Sequence, residues 1–344
     1  MAHDTSLFME QKTVLIVRPN DNIGGSQRMA KTYYNGLSEG GCKVIMITLC
    51  GKTADVKSNN SMIYLNKSRS LFSLLELRRV INVVQPDVVL GFQFQANMVL
   101  ALLVLLNRRK NWQYFLRESN LQNYINSRPS HALAVKFTYL LADKIIAQCM
   151  DMKNHIIRHY GIAENKIQVI YNFPQNKDII LSSRRNVLIV ASTLSEQKNI
   201  VGALNLWALQ DCQHELHIYG HHGLRRKLLE DYVKRNSISN VRFKGLVSRI
   251  PYESYKLLLI TSFYEGFSNA VLEALSCGTP VLAKKHEGGI TEVVNNTNGV
   301  IYTDENSVDI ALLFDRDWDY SAIRQNTLTV YNKSKFISNW EQLF

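Results

Sequence analysis

Short apolar runs alternate with longer amphipathic stretches along nearly all 344 residues, and few folds accommodate that rhythm. A brief run of aliphatic residues followed by a helical period reads as a strand of a parallel sheet and the helix that crosses back over it. Strands are expected at 13–17, 44–49, 87–90, 112–116, 144–147 and 167–170, with helices at 26–39, 70–84, 95–106, 132–141 and 150–160. Gly161 is placed to stop the last of these helices. The stretch 171–185 breaks the rhythm with Pro174, polar residues and the pair Arg184-Arg185, and reads as a linker. A second series follows, with strands at 186–190, 215–219, 241–244, 258–261, 281–283 and 299–302 and mostly helix from Asp317 onward. The fold class is therefore α/β, with two open parallel sheets whose ligands are expected in a cleft at the carboxyl ends of the strands.

Charge and composition narrow the function less than the pattern does. Forty Lys and Arg against 29 Asp and Glu give a net charge of +11, which suits nucleic acid, anionic lipid or a phosphorylated ligand equally. The aromatic residues fall at strand and helix positions and no ribonucleoprotein or helix-turn-helix pattern is present, so no nucleic acid partner is expected. Cys42, Cys50, Cys149, Cys212 and Cys277 are scattered without a Cys-x-x-Cys spacing, which favours a reducing compartment over a zinc site or disulfide framework. Residues 1–11 contain Asp4 and Glu10 and no apolar core, so no secretory signal is expected there. The longest apolar run, 98–106, is about half the length that spans a bilayer, and it ends in Arg108-Arg109-Lys110. It reads as a buried helix with a basic end, in a cytoplasmic protein. Arg78-Arg79, Arg108-Arg109-Lys110 and Arg225-Arg226-Lys227 fit helix ends; a second reading has the first-domain clusters facing an anionic membrane, as a peripheral contact at its inner face. The histidines form no ligand set and no Asp-x-Asp pair is present, so metal-independent chemistry is expected.

The most informative segment follows the strand at 258–261. It reads Glu265-Gly266-Phe267-Ser268-Asn269-Ala-Val-Leu-Glu273, then Cys277-Gly278-Thr279-Pro280-Val281. A helix starting near Ser268 or Asn269, capped by that polar side chain, would turn its first amides toward the cleft mouth as an anion site. Carboxylates so close would repel a phosphate but accept hydroxyl pairs well. The picture is a diphosphate on the helix start, with a sugar hydroxyl on one glutamate and a ribose hydroxyl on the other. On spacing alone, a capped helix with two glutamates on a solvated face is the favoured reading.

This segment resembles the signature of the family-4 retaining glycosyltransferases of GT-B fold (glycosyl transferases group 1), whose two glutamates, seven residues between them, match Glu265 and Glu273. Glu287-Gly-Gly-Ile-Thr-Glu292 and Asn298-Gly299 are similar to its continuation. Asn22-Ile-Gly24-Gly25, Pro86-Asp87, Lys166 to Asn172 and the Trp340 region are similar to other family landmarks. The resemblance implies two Rossmann-like domains, an acceptor-side domain at 1–172 and a nucleotide-sugar domain at 173–325, with a C-terminal helix at 326–344 packing back on the first. It implies a metal-independent hexosyltransferase with no cofactor, moving a hexose or N-acetylhexosamine from a UDP-sugar to a glycan or lipid-linked acceptor in surface polysaccharide synthesis. Glu265, Lys198 and Arg117 are the implied catalytic residues; Gly24, Gly25, Gly266, Phe267, Ser268, Asn269 and Glu273 would hold the donor.

Other residues bear on this reading. Gly24 and Gly25 follow the first strand and allow close backbone approach by a phosphate or sugar, though a tight turn explains them as well; they do not form a G-x-G-x-x-G fingerprint. Arg117-Glu118-Ser119 follows a strand and would open at the cleft, or form an ordinary strand-end ion cluster. The family's usual arginine before Lys198 is missing, with Ser192 and Thr193 in its place; Arg117, Arg249 or Lys284 are candidate substitutes. Three alternatives stay open: a sugar-nucleotide epimerase of similar fold, a non-catalytic partner subunit, and a basic interaction protein that binds lipid or nucleic acid.

Overall fold

The computed structural model describes residues 12–21, 25–51, 61–107, 110–119, 129–175, 184–191, 194–210, 214–220 and 223–344. The chain forms two compact units, residues 1–172 with 333–344, and residues 173–332. Each is a parallel sheet with helices on its faces.

The first unit runs β1 (Thr13–Arg18), α1 (Gly25–Glu39), β2 (Lys43–Cys50), β3 (Met62–Lys67), α2 (Leu74–Val84), β4 (Val88–Phe92), α3 (Gln93–Leu106), β5 (Gln113–Arg117), α4 (Pro129–Leu141), β6 (Lys144–Ala147), α5 (Met150–Tyr160) and β7 (Ile167–Val169). Its seven strands lie in the order β3-β2-β1-β4-β5-β6-β7, every pair parallel. Val14 to Val17 are fully buried, as a central strand covered on both faces requires. The α5 boundaries follow from local chemistry: the Cys149 sulfur accepts from the Met152 amide, Asp151 sits in the first turn, Arg158 and His159 lie in the last, and Gly161 ends it at φ 64°.

The second unit runs β8 (Arg185–Ala191), α6 (Ile200–Ala208), β9 (Glu215–Tyr219), α7 (Gly223–Arg235), β10 (Val241–Gly245), β11 (Tyr255–Ile260), α8 (Asn269–Ser276), β12 (Val281–Lys284), α9 (Ile290–Val293), β13 (Gly299–Tyr302), α10 (Ile310–Asp315) and α11 (Tyr320–Val330). The order of its sheet is β10-β9-β8-β11-β12-β13, again all parallel. The direction of winding reverses between β8 and β11, so the loops that leave these neighbouring strands part and open a crevice at their carboxyl ends.

The last helix, α12 (Lys333–Glu341), belongs to the first unit. Trp340 is fully buried against Tyr33 of α1, Phe115 of β5 and Phe336, and Lys333 pairs with Glu39.

Several sequence expectations are corrected. The strand β3 was not expected: Met62-Ile-Tyr-Leu-Asn-Lys lies at the edge of the sheet, only part-buried, with a four-residue apolar run closed by Asn66 and Lys67. A 3-10 turn at Ser70–Ser73 replaces the first turn expected of α2. Arg78 and Arg79 lie inside α2, and Arg225 and Arg226 lie in the first turn of α7, not at helix C-termini. Cations there oppose the helix dipole, which ion pairs of Arg225 with Glu196 and Arg226 with Glu230 offset.

Candidate functional site

Two loops meet at the β8/β11 crevice. The first, leaving β8, reaches a 3-10 turn at Glu196–Lys198; Leu194 just before it is 2% exposed with φ 53°, a backbone region that a branched side chain seldom occupies. The second runs from Thr261 to Ser268. The two are stitched together: Gln197 Nε2 donates to the Tyr264 carbonyl at 2.8 Å, the Phe263 amide to Gln197 O at 2.9 Å, and Thr261 Oγ1 to Asn199 O at 2.8 Å.

This stitching puts Lys198 beside Glu265. Lys198 Nζ donates to Glu265 Oε1 at 2.5 Å, and Ser262 Oγ donates to the same oxygen at 2.7 Å. The Glu265 side chain is 7% exposed and that of Lys198 22%. Both line a hollow with Val190, Thr261, Ser262 and Ser268. An ammonium carries three donors, so Lys198 can hold Glu265 and still offer a proton to a phosphate oxygen. Both bonds go to Oε1, which leaves Oε2 as an acceptor for a hydroxyl.

A third strand of chain fixes Glu265 from behind. The Glu265 amide donates to Glu287 O at 3.3 Å and the Gly289 amide to Gly266 O at 3.3 Å. Gly288 between them has φ 117°, and a Cβ there would lie 2.0 Å from the Glu265 carbonyl oxygen. Only glycine fits that approach.

The helix α8 starts at Asn269 with Ser268 as its N-cap residue. The expected side-chain cap is not made: Ser268 forms no capping hydrogen bond. Helix geometry gives the first-turn amides no intrahelical carbonyl, and no acidic residue occupies that turn, so the end that borders the hollow favours an anion. Glu273 lies in the second turn of α8, eight residues after Glu265; its Oε2 accepts from Tyr252 Oη at 3.3 Å. Tyr252 is itself anchored through its carbonyl, which accepts from Thr279 Oγ1 at 2.7 Å. Phe267 is buried against Tyr331.

The described first-unit residues divide: Gly25 follows β1 as expected, whereas Arg117 is buried. Gly25 opens α1 beside β1, at the point where the winding of the first sheet reverses, and a side chain there would meet nothing within 4 Å. Gly24, Ser192 and Thr193 lie outside the described residues. Arg117 does not open to solvent. It is 1% exposed, with its guanidinium 4.9 Å from the Tyr33 ring and 5.0 Å from Phe92, donating to Ser119 Oγ and Asn172 Oδ1 at 3.2 Å each. Asn172 passes the network to Gln148 Oε1, and Gln148 to the Glu118 carbonyl. Arg117 therefore organises the carboxyl edge of the first sheet from within. The other proposed substitute cations are each engaged by a carboxylate: Arg249 by Glu253 at 2.7 Å and Lys284 by Glu305 at 2.6 Å.

Sequence reasoning missed Ser262, Tyr252 and Gly288 as supports of the two glutamates. Ser262 stands three residues before Glu265, a spacing that a loop allows but does not demand; Tyr252 carried no signal. Among the described residues no group of three or more His, Cys, Asp or Glu is arranged to hold a metal, and no helix is long and apolar enough to cross a membrane.

The sequence pattern described as "Glycosyltransferase Family 4" matches residues 23–173, and that described as "Glycosyl transferases group 1" matches residues 172–316. The chain belongs to the family-4 glycosyltransferases. As one of these glycosyltransferases it is 25% identical over 316 residues to the amylovoran biosynthesis glycosyltransferase AmsD of Erwinia amylovora, covering 88% of this chain and 89% of that one. It is 26% identical over 265 residues to an uncharacterized glycosyltransferase, MJ1059, of Methanocaldococcus jannaschii, covering 69% of this chain and 64% of the relative's length. The fold of this glycosyltransferase is GT-B, as in sucrose-phosphate synthase from Thermosynechococcus elongatus (TM-score 0.80, 15% identity, 97% and 98% of the two chains). HepE of Anabaena in complex with UDP-glucose has the same fold (TM-score 0.77, 17% identity, 97% and 99%).

Proposed function

We propose that this glycosyltransferase moves a hexose or N-acetylhexosamine from a UDP-sugar to a glycan or lipid-linked acceptor, with retention and without a metal, in the synthesis of a surface polysaccharide. The observation that carries this reading is the Lys198–Glu265–Ser262 cluster at the start of α8. A diphosphate fits the helix start and the Lys198 ammonium, while Oε2 of Glu265 takes a sugar hydroxyl and Glu273 the ribose. The similarity to HepE, solved with UDP-glucose, and to AmsD, named for amylovoran biosynthesis, supports the donor and the product class.

In the step proposed, the bond from the anomeric carbon to the β-phosphate oxygen breaks and a bond to the acceptor oxygen forms on the same face. The acceptor's proton passes to the departing phosphate, so no protein base is needed. Lys198 and the α8 amides stabilise the charge that develops on the leaving group.

A thermal-shift panel of nucleotide sugars tests the donor, since a ligand that binds only the folded state raises the melting temperature by mass action. Stabilisation by UDP-sugars above other nucleotide sugars is the expected result, and transfer to an added acceptor with the α-anomer retained would follow by NMR. Product formed without acceptor would favour the epimerase reading, and no stabilisation by any nucleotide sugar would overturn the proposal.

A further inference from the structure

β4 passes into α3 with no loop between them. Phe92 ends the strand at φ −109°, and Gln93 opens the helix at φ 66°. One residue, in the left-handed region that an L side chain seldom adopts, thus makes the whole turn from strand to helix. The packing around it is tight. A Cβ on Gly91 would lie 2.0 Å from Asn97 Oδ1, so the end of the strand and the first turns of the helix touch there. Phe92 is fully buried, 5.2 Å from the Tyr33 ring and 5.0 Å from the Arg117 guanidinium. Phe94 packs on His131 of α4 at 4.6 Å. Gln93 is therefore clamped between two anchored neighbours.

A strand that turns into a helix through a single strained residue lifts that side chain above the carboxyl edge of its sheet; α/β hydrolases present a nucleophile in this way. Here the side chain is a carboxamide. It is part-exposed, and it takes part in no hydrogen bond among the described residues. Glycine would make the same turn without strain, so the turn by itself gives no reason for glutamine. The place supplies one. β4 lies beside β1, and the winding of the first sheet reverses between them, where a crevice opens for a ligand. Gly25, which opens α1 after β1, has nothing within 4 Å of an added Cβ, so there is room at that edge.

We propose that Gln93 is an acceptor-binding residue whose carboxamide takes two neighbouring hydroxyls of the acceptor sugar and so sets which sugar is accepted. A neutral carboxamide accepts from one hydroxyl and donates to the next. Because its backbone is clamped, its direction is set before the acceptor arrives. The assignment rests on the reading of the chain as a transferase with a sugar acceptor.

Saturation-transfer NMR on the full chain with UDP present tests it, using the methyl glycosides of glucose, galactose, mannose and N-acetylglucosamine. The natural chain should bind at least one and discriminate among them. Gln93→Met keeps the side-chain length without its hydrogen bonds; it should weaken the preferred glycoside by roughly tenfold and blur the discrimination. Gln93→Gly should weaken it likewise while its melting temperature holds or rises, since the strain is released. Undiminished glycoside binding by Gln93→Met, or no glycoside bound by the natural chain, would overturn the proposal. So would a fall in melting temperature accompanying the loss in both variants, since Gln93 would then be a structural residue. Stabilisation by nucleotide sugars is read on the same samples and should not change. Its absence from the natural chain would count against the transferase reading, whereas normal donor binding with glycoside recognition indifferent to residue 93 would count against this one alone.

Discussion

Lys198 and Glu265 are 67 residues apart in the chain and 2.5 Å apart in space, held there by loops leaving the adjacent strands β8 and β11. The pair ties stability to function. Lys198→Met alone leaves a buried carboxylate without its cation and is expected to cost about 2–3 kcal/mol, less than a fully buried pair because the lysine keeps some exposure. Lys198→Met with Glu265→Gln should recover most of that stability in urea titrations, while transfer stays down by on the order of 100-fold. Normal turnover in the double variant would remove both residues from the reaction.

Glu273 is steadied by Tyr252 at 3.3 Å. Glu273→Ala is expected to weaken donor binding by about 1.5–3 kcal/mol, the range of a hydrogen bond to a charged group. Tyr252→Phe should have a smaller effect in the same direction. Isothermal titration with the donor identified in the thermal-shift panel measures both.

Gly288→Ala places a Cβ against the Glu265 carbonyl from a backbone at φ 117°. The loop must move, at about 1–3 kcal/mol, and Glu265 moves with it. Loss of nucleotide-sugar stabilisation with a native circular dichroism spectrum is the expected outcome; an unaltered donor affinity would show that Glu265 does not depend on this loop.

His217 gives the fold a pH dependence. Its Nε2 lies 2.8 Å from Glu215 Oε2 and its Nδ1 3.0 Å from Tyr255 Oη, which meets Tyr219 Oη at 2.8 Å. A carboxylate only accepts, so Nε2 carries the proton and Nδ1 accepts from Tyr255. Burial holds the imidazole below its usual 6.5, against the opposing pull of the Glu215 bond, with Lys244 and Arg185 adding to the depression. The unfolded chain then takes up a proton that the folded one refuses. Stability from this site is complete above pH 6.5 and declines as the pH falls from there toward the folded value. Denaturant midpoints between about pH 5 and 8 should rise with pH, and His217→Gln should flatten the slope.

Trp340 fixes α12 to the first unit. Trp340→Ala removes a fully buried ring from contact with Tyr33 and Phe115 and is expected to cost about 3–5 kcal/mol by urea unfolding.

The sequence by itself determined the parallel sheets, because strands buried on both faces must be written as dense apolar runs: β6 and β9 occur at the limits their runs suggest. It also set Glu265 and Glu273 on one local segment, where spacing in the chain is spacing in space. What only the tertiary structure decided depends on neighbours distant in sequence. β3 carries the short apolar run Met62 to Leu65, and only its pairing with β2 at the sheet edge makes it a strand. Arg117 ends a strand in a way that suits a solvent-facing cation, yet Tyr33, Phe92 and Asn172 close over it. Lys198 gains its partner because the winding of the second sheet reverses between β8 and β11, and the order of strands is a property of packing that no local run of residues records.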